Sequence, residues 1–340
     1  MLNNYITTLV TTKIFFASLT LYFFAIYLEL DMFAYPDFYN IHNKCSDPTQ
    51  VFNAREVIEQ QSNILYSKFF CGLSSITGKE ITYKSNFFIV MAASINMLML
   101  VGYFKILEKF LNEYGKYLLI ALFVMHPYMN IYFFRFYSEI FASLGIFLIF
   151  FFAINKININ LFFVLTALIL MNFRIALVPV FLIYGLWEMY SQYIKKNYKA
   201  LFFSILLIFI SLMSYLPVME ISTVFITMNS DINLIEKILT NIVLAFGFRE
   251  SIGISRDIFI FNEAIDFLSF GTSVIFIIIH SIGLYGIIKL SFKQNISILL
   301  VFTYLLAPIL ALAHMRYLLP LMPILLFGFT YVFFRKKRGG

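Results

Sequence analysis

The sequence predicts an all-α polytopic membrane protein with about ten transmembrane helices and two long external loops. Three observations carry that expectation. The 340-residue chain is 61% hydrophobic and 13% charged, against roughly half and a quarter in a soluble domain. Its apolar residues fall in runs such as LVTTKIFFASLTLYFFAIYL, ALFFSILLIFISLMSYLPVM and SFGTSVIFIIIHSIGLYGIIKL, close to the ~20 residues a helix needs to cross a bilayer. These runs are continuous, whereas a lipid-facing barrel strand alternates.

The elements follow in order. Residues 10–29 form the first span. Its apolar stretch is too long for a secretory signal, and no small-x-small cleavage site follows, so it reads as an uncleaved signal-anchor. Residues 30–85 make the first external loop. Within it VFNAREVIEQQSNILYSKFF repeats its apolar residues near helical spacing, as an amphipathic helix on the membrane surface does. Cys45 and Cys71, the two cysteines of the chain, both fall in this loop. A disulfide and a pair of free thiols are both open there. Spans are expected at 86–104, 117–134, 139–155, 158–173, 175–192 and 200–219, the third to sixth as tight hairpins. A second long external loop covers 220–269. Spans at 270–288, 295–313 and 317–334 complete the set, and RKKRGG follows as a cationic stop. His280, inside the eighth span, reads as a core histidine bonded to a neighbouring helix. Residues 1–340 thus form a single integral membrane domain, without a visible internal repeat.

Basic residues orient the spans. With a cytoplasmic N-terminus, the short inner segments hold Lys13, Lys105, Lys109, Lys116, Lys156, Lys195, Lys196, Lys199, Lys289, Lys293 and the terminal basic run. Both termini are then cytoplasmic, in a multi-pass protein of the cytoplasmic membrane. Most of the acidic residues fall at the external face, where they mark a working surface.

Four stretches carry candidate chemistry. In LELDMFAYPDFYN, Glu29, Asp31 and Asp37 cluster where the first span leaves the membrane. A carboxylate partly desolvated there can act as a base or orient a hydroxyl; the plainer reading is an acid that ends the helix. In HPYMNIYFFRFYSEIF, His126, Arg135 and Glu139 surround an external turn, and Pro127 argues for a break in the helix. Arg135 and Glu139 are spaced to pair. In LMNFRIALVPV, Arg174 sits at the turn between the fifth and sixth spans. Ionisable residues in membrane segments are costly and are functional candidates by default, with snorkelling as the competing account. In AHMRYLLPLMPILL, His314 and Arg316 open the last span above Pro320 and Pro323.

One reading covers all four. Arginine's planar fork suits a phosphate or diphosphate, and its place at the lipid boundary suits a phosphate on a lipid tail. The expected partners are a lipid-linked (di)phosphosugar donor, a glycan or lipid-linked acceptor, and membrane lipids, with no nucleic acid. Asp31 or Asp37 would activate the acceptor hydroxyl. Arg135, Arg174, His314 and Arg316, helped by His126 and Glu139, would hold the leaving phosphate, and Tyr35 would face the sugar. No zinc spacing, Walker loop or dinucleotide fingerprint is present, and Asp31 has no adjacent carboxylate for a divalent metal, so no cofactor is expected.

These stretches resemble the GT-C class of membrane glycosyltransferases, which use polyprenyl-linked donors. Asp31 with Tyr35 four residues on resembles the D-x-x-x-Y start of their first loops. FRFYSEIFASLGIFL resembles the Tyr-Ser-Glu helix of several mannosyltransferases, and RYLLPLMP their late R-x-L-P-x-x-P span. The resemblance implies Asp31 as the catalytic acid, Arg135, Arg174 and Arg316 as phosphate ligands, and a role in bacterial surface polysaccharide assembly such as O-antigen or lipopolysaccharide. Met32 stands where many relatives carry a second acid, and the large soluble C-terminal domain frequent in the class is missing. A Wzy-type O-antigen polymerase is the near rival, since it too applies external arginines to diphosphate-linked glycans. A lipid-linked glycan flippase is the rival from another class; transporters favour inverted repeats and polar residues at the midplane.

Overall fold

The computed structural model describes residues 2–27, 69, 72, 76, 86–135, 139–215, 263–305 and 318–336. Among the described residues the chain is helical, with one isolated antiparallel bridge between Leu111 and Arg335. Ten α-helices are described: α1 (Leu2–Tyr27), α2 (Asn86–Leu107), α3 (Glu113–Met125), α4 (Pro127–Ile131), α5 (Glu139–Asn155), α6 (Leu161–Phe173), α7 (Val178–Ile194), α8 (Tyr198–Tyr215), α9 (Glu263–Lys293) and α10 (Met322–Phe334). Short 3₁₀ turns follow α2 and precede α7, and a longer 3₁₀ helix covers Ile296–Leu305. Asn86–Phe110, Ile175–Ile194 and Val274–Lys293 are long and apolar enough to cross a membrane. Glu139–Asn155, Leu161–Phe173, Tyr198–Ser214, Ile296–Leu305 and Met322–Phe334 are apolar but shorter.

Several boundaries differ from the sequence expectation. The span expected at 117–134 is two helices, α3 and α4, parted at His126. Residue 127 is proline, which has no N–H and clashes with the carbonyl four residues back. Helix α9 begins at Glu263, inside what reads as the second long loop. The first half of the span expected at 295–313 is 3₁₀. At a rise of ~2.0 Å per residue, that form lengthens the segment by about a third over an α-helix.

The chain divides into two compact units, residues 1–140 with 333–340, and residues 141–332. In the first unit α1 packs on α2, α3 and α4. Its apolar contacts include buried Leu9 and Ala17 and an edge-on pair of Tyr5 with Tyr117, centroids 5.2 Å apart. The turn between α2 and α3 is stitched to the chain's last described residues. The Asn112 N–H donates to Phe334 O at 3.0 Å and the Lys336 N–H to Phe110 O at 2.9 Å. Asn112 also caps α3, its side chain accepting from the Gly115 N–H at 2.8 Å, which satisfies one of the open donors of the first turn.

Glu113, in that same first turn, accepts from Lys116 at 2.8 Å and from the Tyr5 hydroxyl. The Lys116 bond, then the Tyr5 bond, holds the Glu113 carboxyl below the usual carboxylate range. A depressed carboxyl pKa stabilises the fold above the unfolded value of about 4.3, and that share is lost as pH falls through the folded value. Thermal unfolding of wild type and Glu113→Gln should therefore diverge at neutral pH and converge in acid. Parallel curves across the whole range would exclude this role.

In the second unit, two hairpins share one design. Lys156 and Lys196 adopt left-handed conformations, φ 55° each, just past the ends of α5 and α7. Around them the Ile157 N–H donates to Phe152 O at 2.9 Å and the Asn197 N–H to Gln192 O at 3.0 Å. These are Schellman closures, with lysine where glycine is usual; the cation is favoured beside the negative end of the helix dipole. Asparagine then starts the next helix. Asn160 accepts from the Phe163 N–H at 3.0 Å and Asn197 from the Ala200 N–H at 3.3 Å.

Helices α7 and α8 pack along each other, α8 also lies on α6, and the 3₁₀ helix Ile296–Leu305 lies on α7 and α9. Exposed Leu161, Phe162, Leu165 and Ile169 on α6, and Phe202, Ile205, Phe209 and Leu212 on α8, form apolar outer faces. In a soluble protein such faces would be liabilities; in a bilayer they meet lipid. Among the described residues the chain is therefore helical, and its apolar helices are those of a membrane protein.

Candidate functional site at the helix break

In an uninterrupted α3 the N–H of residue 127 would bond to Phe123 O. Pro127 supplies none, so that carbonyl is left open inside the protein. Lys13, fully buried on α1, fills the gap. Its Nζ donates to Phe123 O at 2.9 Å and to Asn130 Oδ1, and lies 5.5 Å from the centre of the Phe133 ring. Asn130 uses its other end to close the next carbonyl, its Nδ2 donating to Val124 O at 2.9 Å. His126 caps α4, its Nδ1 accepting from the Met129 N–H at 3.4 Å. That bond makes Nε2 the protonated nitrogen of a neutral ring.

The turn that follows is held from α2. Asn96 Nδ2 donates to Phe133 O at 2.9 Å and to Tyr132 O at 3.4 Å. Arg135 closes the turn, its N–H donating to Tyr132 O at 3.2 Å. The guanidinium lies 5.2 Å from the Tyr132 ring centre, within cation–π range. Glu139 opens α5 and is fully buried.

Three residues singled out in the sequence, His126, Arg135 and Glu139, thus belong to one unit and are all buried. Their neighbour Lys13 reads in the sequence as a basic residue that fixes orientation. The structure places it in the interior, three turns into α1, so its charge is no anchor at the membrane surface. The clue was present in LVTTKIFFASL, a lone lysine in an apolar helix. Asn130 was also missed; its signal is position, three residues past a helix-breaking proline.

Arg174 belongs to the second unit. It ends α6, its N–H donating to Leu170 O at 2.9 Å, and its own carbonyl accepts from the Leu177 N–H at 3.0 Å. The side chain is buried, and the preceding residue Phe173 stacks on Phe141 with centroids 4.0 Å apart. Lys156 lies at the other end of α6, ~20 Å away along the axis. Asp31, Tyr35, Asp37, His314 and Arg316 lie outside the described residues, as do Cys45, Cys71 and most of the first external loop.

Chemically, each unit presents a buried arginine, Arg135 in the turn after α4 and Arg174 at the end of α6, the first with a carboxylate and an imidazole in the same unit. Arginine in such a setting keeps its charge and its fork of donors, so an oxyanion is the natural ligand. No protein-family model, curated protein or solved structure matches the chain.

Proposed function

We propose that this chain is an integral membrane glycosyltransferase of GT-C type. It moves a sugar from a polyprenyl-(di)phosphate donor to an acceptor hydroxyl on the extracytoplasmic face of a bacterial inner membrane. In this reading the chain crosses the membrane about ten times, both termini are cytoplasmic, and the product enters surface polysaccharide. The observation that carries the proposal is the burial of two arginines within an apolar chain, Arg135 in the turn after α4 and Arg174 at the end of α6. A guanidinium in that position is costly to maintain and is well suited to a lipid-borne phosphate.

The step balances simply. Asp31 takes the acceptor's hydroxyl proton, the acceptor oxygen bonds to the sugar C1, and the C1–O bond to phosphate breaks. The electron pair leaves on the phosphate oxygen, where a cationic side chain meets the charge; such stabilisation is usually the largest catalytic contribution. Asp37 is the alternative base and Tyr35 the residue for the sugar; Arg135, with Glu139 and His126 in the same unit, Arg174, His314 and Arg316 are the candidates for the phosphate. No cofactor is invoked.

Membranes carrying wild type or Asp31→Asn, supplied with mixed polyprenyl-linked donors, test this directly. Loss of a positioned base costs ~10²- to 10⁴-fold, so transfer should fall by at least about a hundredfold while insertion and unfolding temperature hold. Full transfer by the variant would remove Asp31 from the mechanism. Products extended by many repeats would instead identify a polymerase. Donor translocation without transfer by wild type would identify a flippase.

A further inference from the structure

A second polar cluster lies on α7 in the second unit. Tyr184, Glu188 and Gln192 follow one another at four-residue spacing on α7, hence on one face of that helix. All three are buried, Tyr184 completely. Gln192 Nε2 donates to Glu188 Oε2 at 2.9 Å and to Asn158 Oδ1 at 3.0 Å, which ties the α5–α6 turn to the cluster. With its nitrogen so used, Gln192 Oε1 is buried without a hydrogen-bond partner, and so is the Tyr184 hydroxyl. The 3₁₀ helix packed on α7 also carries a buried hydroxyl without a partner, that of Ser297.

Glu188 has no ion-pair partner among the described residues. Helix α8, packed against α7, offers Ser204 and Ser211, both bonded to carbonyls of their own helix at 2.9 and 2.8 Å. Its one charged residue, Lys199, sits exposed in its first turn. The 3₁₀ helix carries Tyr304 and no charge. On α7 itself the nearest cation, Lys195, is exposed beyond the last turn. Lys195 acts on Glu188 only through its field, without an ion pair; a buried carboxylate without an ion-pair partner is strongly disfavoured, and one inside a membrane segment is a functional candidate. The surrounding groups are oxygens with unused lone pairs, the donor set that hard cations take.

We propose that Glu188, with Tyr184 and Gln192, is a binding site for one small monovalent cation, a proton or an alkali-metal ion, inside the membrane domain. The occupant neutralises the carboxylate, and the free oxygens of Gln192 and Tyr184 complete its surroundings. This site is independent of the glycosyl-transfer reading, since no residue is shared with it.

Two measurements on the full chain in liposomes, each against Glu188→Gln, decide the matter. For the proton, infrared difference spectra in sodium-free choline buffer are taken between about pH 5 and 9, bracketing the range where a perturbed carboxyl exchanges. The expected signal is the carbonyl stretch of a protonated carboxylic acid, lost in the variant. For the alkali ion, the unfolding temperature is compared in sodium chloride and in choline chloride at equal ionic strength. Specific binding raises it in wild type by mass action and leaves the variant unmoved. Either signature assigns the occupant. An ionised Glu188 throughout, with no sodium-dependent shift, would overturn the site.

Discussion

Gly286→Ala should part α9 from α10 and destabilise the protein by about 3 kcal/mol, the upper end of what forced overpacking costs. A Cβ built on Gly286 meets the backbone of Gly328, one on Gly328 meets the Gly283 carbonyl, and one on Gly283 meets the Leu325 carbonyl. All three obstacles include main-chain atoms held in helices, so no rotamer change makes room. Small residues that let helix backbones touch are a common way to pack spans in lipid, where apolar side chains gain nothing by leaving their solvent. Gly145→Ala is the matched control. Its added methyl meets only the branched end of Leu177, which can turn aside, so its cost should stay under about 1 kcal/mol. Unfolding in detergent by heat or denaturant ranks the two variants. Equal losses would mean that the crossing tolerates separation and that close approach is incidental.

Lys13→Met should cost about 2 kcal/mol, because it leaves Phe123 O and Asn130 Oδ1 buried and unsatisfied, at ~1–3 kcal/mol each. Relief from holding an ammonium out of water works in the opposite direction and offsets part of that sum. The deciding partner is Pro127. Changing it to alanine returns the N–H that a helix would aim at Phe123 O, so lysine becomes partly redundant. In Pro127→Ala the further change Lys13→Met should therefore cost less, by about 1 kcal/mol of coupling in a double-mutant cycle. Simple additivity would show that Lys13 does not substitute for the missing amide hydrogen. A Lys13→Met protein as stable as wild type would show that burying the charge cancels both bonds.

The helical class was legible because composition and continuous apolar runs constrain a chain this strongly. The hairpin at Arg174 was also legible, since a lone arginine followed by Ile-Ala-Leu-Val-Pro marks both a stop and a restart. Pro127 announced the break in the third expected span. What the break requires was not legible, because the donor that satisfies it comes from Lys13, more than a hundred residues earlier. Local pattern carries no record of that pairing. Glu188 escaped for a similar reason. In GLWEMYSQY it looks like an acid near the end of an amphipathic helix, and only packing by the 3₁₀ helix and α8 makes it interior. The 3₁₀ form of Ile296–Leu305 has no signal in a run of ISILLVFTYL, whose apolar content fits a span in either geometry.

The stitch between the α2–α3 turn and residues 334–336 fixes an order of events during synthesis. Domains tend to fold as units, the N-terminal one first, as the ribosome extends the chain. Here the first unit lacks its last backbone partners until every helix of the second has been made. Helices α1 to α4 must wait in the bilayer, paired through Lys13 and Tyr5 but with Phe110 O and the Asn112 N–H still uncommitted. Completion of one unit thus reports that translation of the other has finished.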